Sequence, residues 1–237
     1  MVPLRDNNPT ILTPYVTYGL IATNILIFIY ELTLAPPQLD RFFHMAAVVP
    51  RELTASFAGT PVHHPLPEWT TLITSQFLHA GFLHVAGNML FLWIFGNNVE
   101  DKLGHFKYLF FYLTCGVLAS LTQWYFSQNS GIASLGASGA IAGVMGAYIL
   151  RFPTAEIATL IPLGFFFPVV RIPAFYFLGF WFVQQALYGV AQLEAPANIG
   201  MENGGIAYWA HAGGFVFGAI LGSLLGLFES ESKEPSF

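Results

Sequence analysis

Apolar residues run along this chain in long blocks, without the one-sided stripe of a soluble helix. Six blocks approach the about 20 residues that a helix needs to cross hydrocarbon. They cover residues 15–34, 72–95, 106–126, 135–152, 173–193 and 206–228, and proline-bearing or polar stretches punctuate them. The longest connection, residues 35–71, is rich in charge and proline. A shorter apolar block at 155–170 has Pro153, Pro162, Pro168 and Pro173 in or around it. Proline removes a backbone donor and breaks helices, so this block is predicted to be an interfacial or re-entrant loop.

The basic residues test that count. With six spans, Arg5, Lys102, Lys107, Arg151, Arg171 and Lys233 share one side of the membrane, and only Arg41 and Arg51 take the other. A seventh span at 155–170 would move Arg171 and Lys233 across and leave four against four. The positive-inside rule selects six spans with both termini cytoplasmic. The predicted organisation is a tail at 1–14, a helical domain at 15–228 and a second tail at 229–237.

Composition agrees. Charged residues make up 9% of the chain, far below the roughly 25% of an ordinary soluble domain. No basic patch points to nucleic acid. Cys115 is the single cysteine, so no intrachain disulfide can form. Residues 1–14 lack the features of a secretory signal, and the first span is predicted to stay as an anchor. Short tails without a targeting segment fit a bacterial-type plasma membrane.

Polar residues inside spans are costly and usually face a bundle interior or a cavity. Here they gather on the even spans: His79, His84 and Asn88 on the second, Ser138 on the fourth and His211 on the sixth. In a six-span topology all three spans enter from the same side, so these residues can converge. Span four carries Gly136, Gly139, Gly143 and Gly146; span six carries Gly214, Gly218, Gly222 and Gly226. Small residues every four positions let membrane helices pack closely. His211 shares the face of Gly214 and Gly218, so a close contact of spans four and six puts its imidazole within reach of Ser138.

That contact has a chemical reading. A serine hydroxyl needs an adjacent base to become a nucleophile, and histidine titrates in the useful range. Acyl transfer also needs donors for the developing oxyanion. His84 and Asn88, one turn apart, and the Ser138 backbone N–H are candidates. No Asp or Glu lies near the outer half of an even span, and Glu100 is too deep to orient His211. The expectation is a Ser138–His211 dyad.

Taken together, these residues resemble the rhomboid family of intramembrane serine proteases, over roughly residues 15–228. Gly136-Ala137-Ser138-Gly139 matches the family's nucleophile signature, and His211 with Gly214 and Gly218 matches its base. His84 and Asn88 match its oxyanion pair, and His79 a further histidine. Gly96, Glu100 and Gly104 look like its motif at the cytoplasmic end. The resemblance implies an all-α, six-transmembrane-helix bundle in membrane lipid. It also implies hydrolysis of peptide bonds in or near the transmembrane segments of other proteins, with no metal or organic cofactor. Two positions depart from the family: Trp69-Thr70 stands where a Trp-Arg pair is common, and Ala142 where some members carry tyrosine.

Other readings compete. A non-proteolytic rhomboid-like protein would bind client helices, but such proteins lack the serine or the histidine. A proton channel would suit intramembrane histidines, yet no carboxylate lies deep in a span and no inverted repeat is visible. The His63-His64 pair is weak as a metal site without a third ligand. Span five is bulky, with Phe175, Phe177, Phe180, Trp181 and Phe182. If substrates enter beside it, Trp181→Ala is expected to raise the cleavage of helical substrates.

Overall fold

In the computed structural model, which describes residues 1–60, 67–194 and 206–229, the first apolar block forms α1 (Tyr15–Thr33). Thr17, Leu20, Asn24, Phe28 and Glu31 recur every three or four residues along its buried face. Ile25, Leu26, Ile29 and Leu32 point outward. Polar groups inward and aliphatic groups outward reverse the pattern of a helix in water and suit a lipid surround.

Two prolines of the next connection start helices, because proline fits the first turn, where its missing N–H has no partner anyway. Pro36 opens α2 (Pro36–Ala46), and Pro50 opens α3 (Pro50–Phe57). His63 and His64 lie outside the described residues, as does Lys233. A 3₁₀ turn (Glu68–Thr70), α4 (Thr71–Thr74) and another 3₁₀ turn (Ser75–Phe77) follow.

Residues 72–95, expected as one span, are not a single helix: the chain bends by 81° between Phe77 and Phe82. The long helix that follows is α5 (Phe82–Leu103). His79 therefore sits in the bend, ahead of the helix. Gly104 has φ +72°, a left-handed conformation that suits glycine, and leads into α6 (His105–Phe126).

The remaining elements are α7 (Ser138–Arg151), β2 (Glu156–Leu160), β3 (Val169–Pro173), α8 (Ala174–Glu194) and α9 (Tyr208–Leu224). The expected loop at 155–170 is instead an antiparallel hairpin, and residues 1–14 contribute β1 (Val2–Asp6), which pairs with β2. The order is β1-β2-β3. The fold is mostly helical but not all-α. Pro162 and Pro168 lie between the hairpin strands and interrupt neither. Pro3 sits on an edge strand, where a missing donor costs little. Along β2, Ile157 and Thr159 are buried and their neighbours are less so, the period-two pattern of a half-covered strand.

By length and composition, α1 and α6 can each cross a membrane, and the bent segment ending in α5 makes a third if it is one span. With 14 and 17 residues, α7 and α9 are shorter.

Two groups of contacts fix the frame. At one end, the Glu100 carboxylate accepts from the N–H groups of Val16 and Thr17 at 2.9 and 2.8 Å and from Thr17 Oγ1 at 2.7 Å. It therefore satisfies donors that the first turn of α1 cannot bond internally. His105 Nδ1 adds a 2.6 Å contact. In the core, α7 and α9 touch through their backbones. A Cβ on Gly214 would run into the Gly139 carbonyl, and one on Gly218 into the Gly143 carbonyl.

Candidate active site

Ser138 is the first residue of α7, and Gly136 builds the turn that delivers it. Gly136 has φ +124°, and its N–H donates to the Ser75 carbonyl at 2.8 Å. A Cβ there would stand 2.8 Å from both Cε1 and Nε2 of His84. Conformation and space both call for glycine. Because Ser138 opens the helix, its N–H belongs to the donors that have no acceptor within the helix and face outward from the N-terminus.

His211 lies one turn into α9. Close packing of Gly139 on Gly214 brings the two helix starts together, with Ser138 Oγ 2.8 Å from His211 Nε2. Both side chains are half-buried. Next door, the Ala210 N–H donates to Gln123 Oε1 at 3.3 Å, which occupies one of the free donors of α9.

The other imidazole nitrogen also has a partner, one outside the residues that the sequence singles out. His211 Nδ1 lies 2.7 Å from Oε1 of Gln185 on α8, a residue only 7% exposed. Gln184-Gln185 is a polar pair inside an otherwise apolar segment, and the rule that such residues face the interior could have found it. One turn earlier, the Trp181 ring is tilted by 35° over His211, with centroids 5.6 Å apart.

His84 and Asn88 stand one turn apart on α5. The His84 ring packs beside Gly136, and Asn88 Nδ2 lies 3.8 Å from the place a Gly136 Cβ would take. Asn88 Nδ2 also contacts His79 Nε2 at 2.9 Å. His79 packs edge-on against His84 at 5.0 Å, and its backbone N–H donates to Glu31 at 3.2 Å. Ser138, His211, His84, Asn88, His79, Gly136, Gly139 and Gly214 are thus gathered in one place, with Gly218 one turn further along α9. Beside Ser138 is a cavity of about 20 Å³ lined by Ser75, Gln76, Ser120 and Ala207, enough for roughly one water molecule. A hydroxyl against a base, flanked by amide and imidazole donors, is a constellation suited to acyl transfer.

Comparison with known proteins places this geometry in a family. Residues 66–228 match the Rhomboid domain. The chain is 30% identical over 176 residues to Rhomboid-like protein 11, chloroplastic, of Arabidopsis thaliana, covering 73% of this chain and 58% of that protein. It is 29% identical over 210 residues to Rhomboid protein 1, mitochondrial, of Saccharomyces cerevisiae, covering 86% and 51%. A shorter stretch of 82 residues is 42% identical to Rhomboid protease GluP of Bacillus subtilis, covering 35% and 16%. The chain spans about half the length of the first two relatives. Their names place them in a chloroplast and a mitochondrion, which lends no support to the expected bacterial-type plasma membrane. With the domain matched across most of its length, the chain belongs to the rhomboid family of membrane proteins.

Proposed function

We propose that the chain is an intramembrane serine endopeptidase that hydrolyses peptide bonds in or near the transmembrane segments of other membrane proteins. The observation that carries this reading is the 2.8 Å contact between Ser138 Oγ and His211 Nε2. His211 takes the hydroxyl proton as Oγ attacks the substrate carbonyl, then delivers it to the leaving amine. The Ser138 N–H, His84 and Asn88 supply donors for the oxyanion, with His79 holding the Asn88 amide. Water then hydrolyses the acyl-enzyme, and the cavity beside Ser138 has room to keep one at hand.

In the same reading α1, α5, α6, α7, α8 and α9 are six spans surrounded by membrane lipid, and residues 1–14 and 229–237 lie on the cytoplasmic side. The distribution of Lys and Arg supports that orientation. The name of the Bacillus relative, a rhomboid protease, supports the chemistry.

The test needs no substrate. Purified protein is treated with a fluorophosphonate probe and weighed intact, beside Ser138→Ala and His211→Ala. One adduct on the parent chain and none on either variant is expected. Absence of an adduct on folded parent protein would sink the protease reading and favour binding of client helices without cleavage.

A further inference from the structure

We propose that Gln185 is a positioning residue that holds His211 in the tautomer the reaction needs, so that α8 completes the catalytic arrangement. This rests on the protease reading above.

An amide oxygen only accepts, so the 2.7 Å contact of Gln185 Oε1 with His211 Nδ1 requires the imidazole hydrogen to be on Nδ1. Neutral imidazole carries one N–H, so Nε2 is then bare and its lone pair faces the Ser138 hydroxyl at 2.8 Å. A base in this site must have that arrangement. With the hydrogen on Nε2, the histidine would donate to Ser138 and take nothing from it.

Burial points the same way. Gln185 is almost wholly enclosed on a helix that is otherwise largely apolar, and an enclosed amide without partners is costly. Its oxygen meets that cost at the imidazole.

Trp181 and Gln185 are four residues apart and therefore share one face of α8. The indole covers the ring of His211 while the amide holds its edge. The helix carrying the serine supplies no ring contact at the position one turn on, because Ala142 stands there. Orientation of the histidine is thus assigned to α8. A shift of that helix by about an ångström takes the amide contact out of hydrogen-bond range, so the dyad is fully armed only while α8 is docked on α9.

The direct test is the ¹⁵N spectrum of histidine-labelled protein in detergent, with His211 identified by the signal lost in His211→Gln. In the parent protein Nδ1 is expected to be protonated and Nε2 bare. A parent His211 protonated on Nε2 overturns the proposal without any variant. Gln185→Met keeps the length and removes the amide oxygen, and is expected to shift His211 toward the other tautomer. Gln185→Glu restores an acceptor and is expected to restore the parent tautomer. An unchanged tautomer in folded Gln185→Met also overturns the proposal.

Fluorophosphonate labelling supplies the functional readout. Loss of one orienting hydrogen bond is expected to slow Gln185→Met about tenfold, with Gln185→Glu recovering most of the rate. Equal rates in parent and Gln185→Met overturn the proposal. A parent protein that takes no probe defeats the protease reading instead, and the tautomer still decides the role of Gln185.

Discussion

The carbonyl of Gly139 on α7 occupies the place where a Cβ on Gly214 of α9 would stand. The same relationship recurs one turn on, between the Gly143 carbonyl and Gly218. In both cases the obstacle is backbone, which cannot swing aside as a side chain can. The 2.8 Å contact of Ser138 with His211 depends on this spacing, since Ser138 opens α7 and His211 lies in the first turn of α9, the two helices that touch.

Gly218→Ala is therefore expected to push α9 from α7, costing about 1–3 kcal/mol of stability. It is also expected to abolish probe labelling of Ser138 while the protein remains folded. Gly19→Ala on α1 is the matched control, because among the described residues nothing outside its own helix backbone lies within 4 Å of its added Cβ. Its stability should hold or rise by up to about 1 kcal/mol through better helix propensity. Thermal unfolding in detergent and labelling at low temperature check both. Equal behaviour of the two variants would count against backbone contact as the determinant of the site.

Gly136 makes a separate claim about the oxyanion side. Its left-handed φ and the ring of His84 at 2.8 Å from any Cβ both exclude a side chain. Gly136→Ala is expected to displace His84 or the turn before Ser138. Asn88→Ala removes a donor without strain. If its amide stabilises the oxyanion, kcat for a cleavable substrate should fall about 10²–10³-fold, with KM little changed. A rise in KM at constant kcat would assign Asn88 to substrate binding.

These two sites show what hydropathy and spacing can and cannot reveal. Gly136, Ser138, Gly214 and His211 were legible because each signal is local to one helix, and a glycine ladder states which face approaches a neighbour. The bend between Phe77 and Phe82 was hidden, because apolar residues continue on both sides and hydropathy records no direction. The hairpin was hidden by its prolines: Pro162 and Pro168 lie between the strands and Pro173 ends β3, so none of them breaks a helix. Gln185 belongs to no spaced motif. Its role is visible only once α8 packs beside α9 and the amide oxygen meets Nδ1 of His211.

At the opposite end of α5, Glu100 ties three helices together. Four donors on α1 and α6 converge on one fully buried carboxylate. Glu100→Ala strands the two N–H groups of α1, and its expected cost is about 3 kcal/mol. Glu100 is 16 residues beyond His84, about 24 Å along the helix. Chemistry at Ser138 should therefore survive at low temperature in the fraction that stays folded. Unchanged thermal stability would rule out the clamp.

Strand β1 gives a pH dependence. Tyr148 O–H donates to Asp6 at 2.5 Å, and Asn8 Nδ2 donates to the same phenol oxygen at 2.9 Å. Burial raises the Asp6 carboxyl above its usual range and outweighs the lowering by Tyr148 and the backbone donors. A raised carboxyl pKa means that the folded state holds the proton more tightly. The contribution is complete below the unfolded value of 3.8 and is lost as pH rises through the folded one. Asp6→Asn should flatten that part of the pH–stability curve, read as thermal midpoints across the acid range. An unchanged slope would mean that Asp6 does not set it.

Trp181 carries two expectations that one variant cannot separate. As bulk on α8, its truncation widens the space beside that helix and favours the entry of helical substrates. As the ring 5.6 Å from His211, its truncation loosens the base. An aromatic contact of this kind is worth about 0.5–1.5 kcal/mol, so Trp181→Ala should slow labelling by a small probe roughly 2- to 12-fold. Trp181→Phe keeps an aromatic face with less bulk and should label at nearly the parent rate. The ratio of helical-substrate cleavage to probe labelling then isolates access from activation, and it should rise in both variants. Parent-like labelling of Trp181→Ala would leave access as the only function of this side chain.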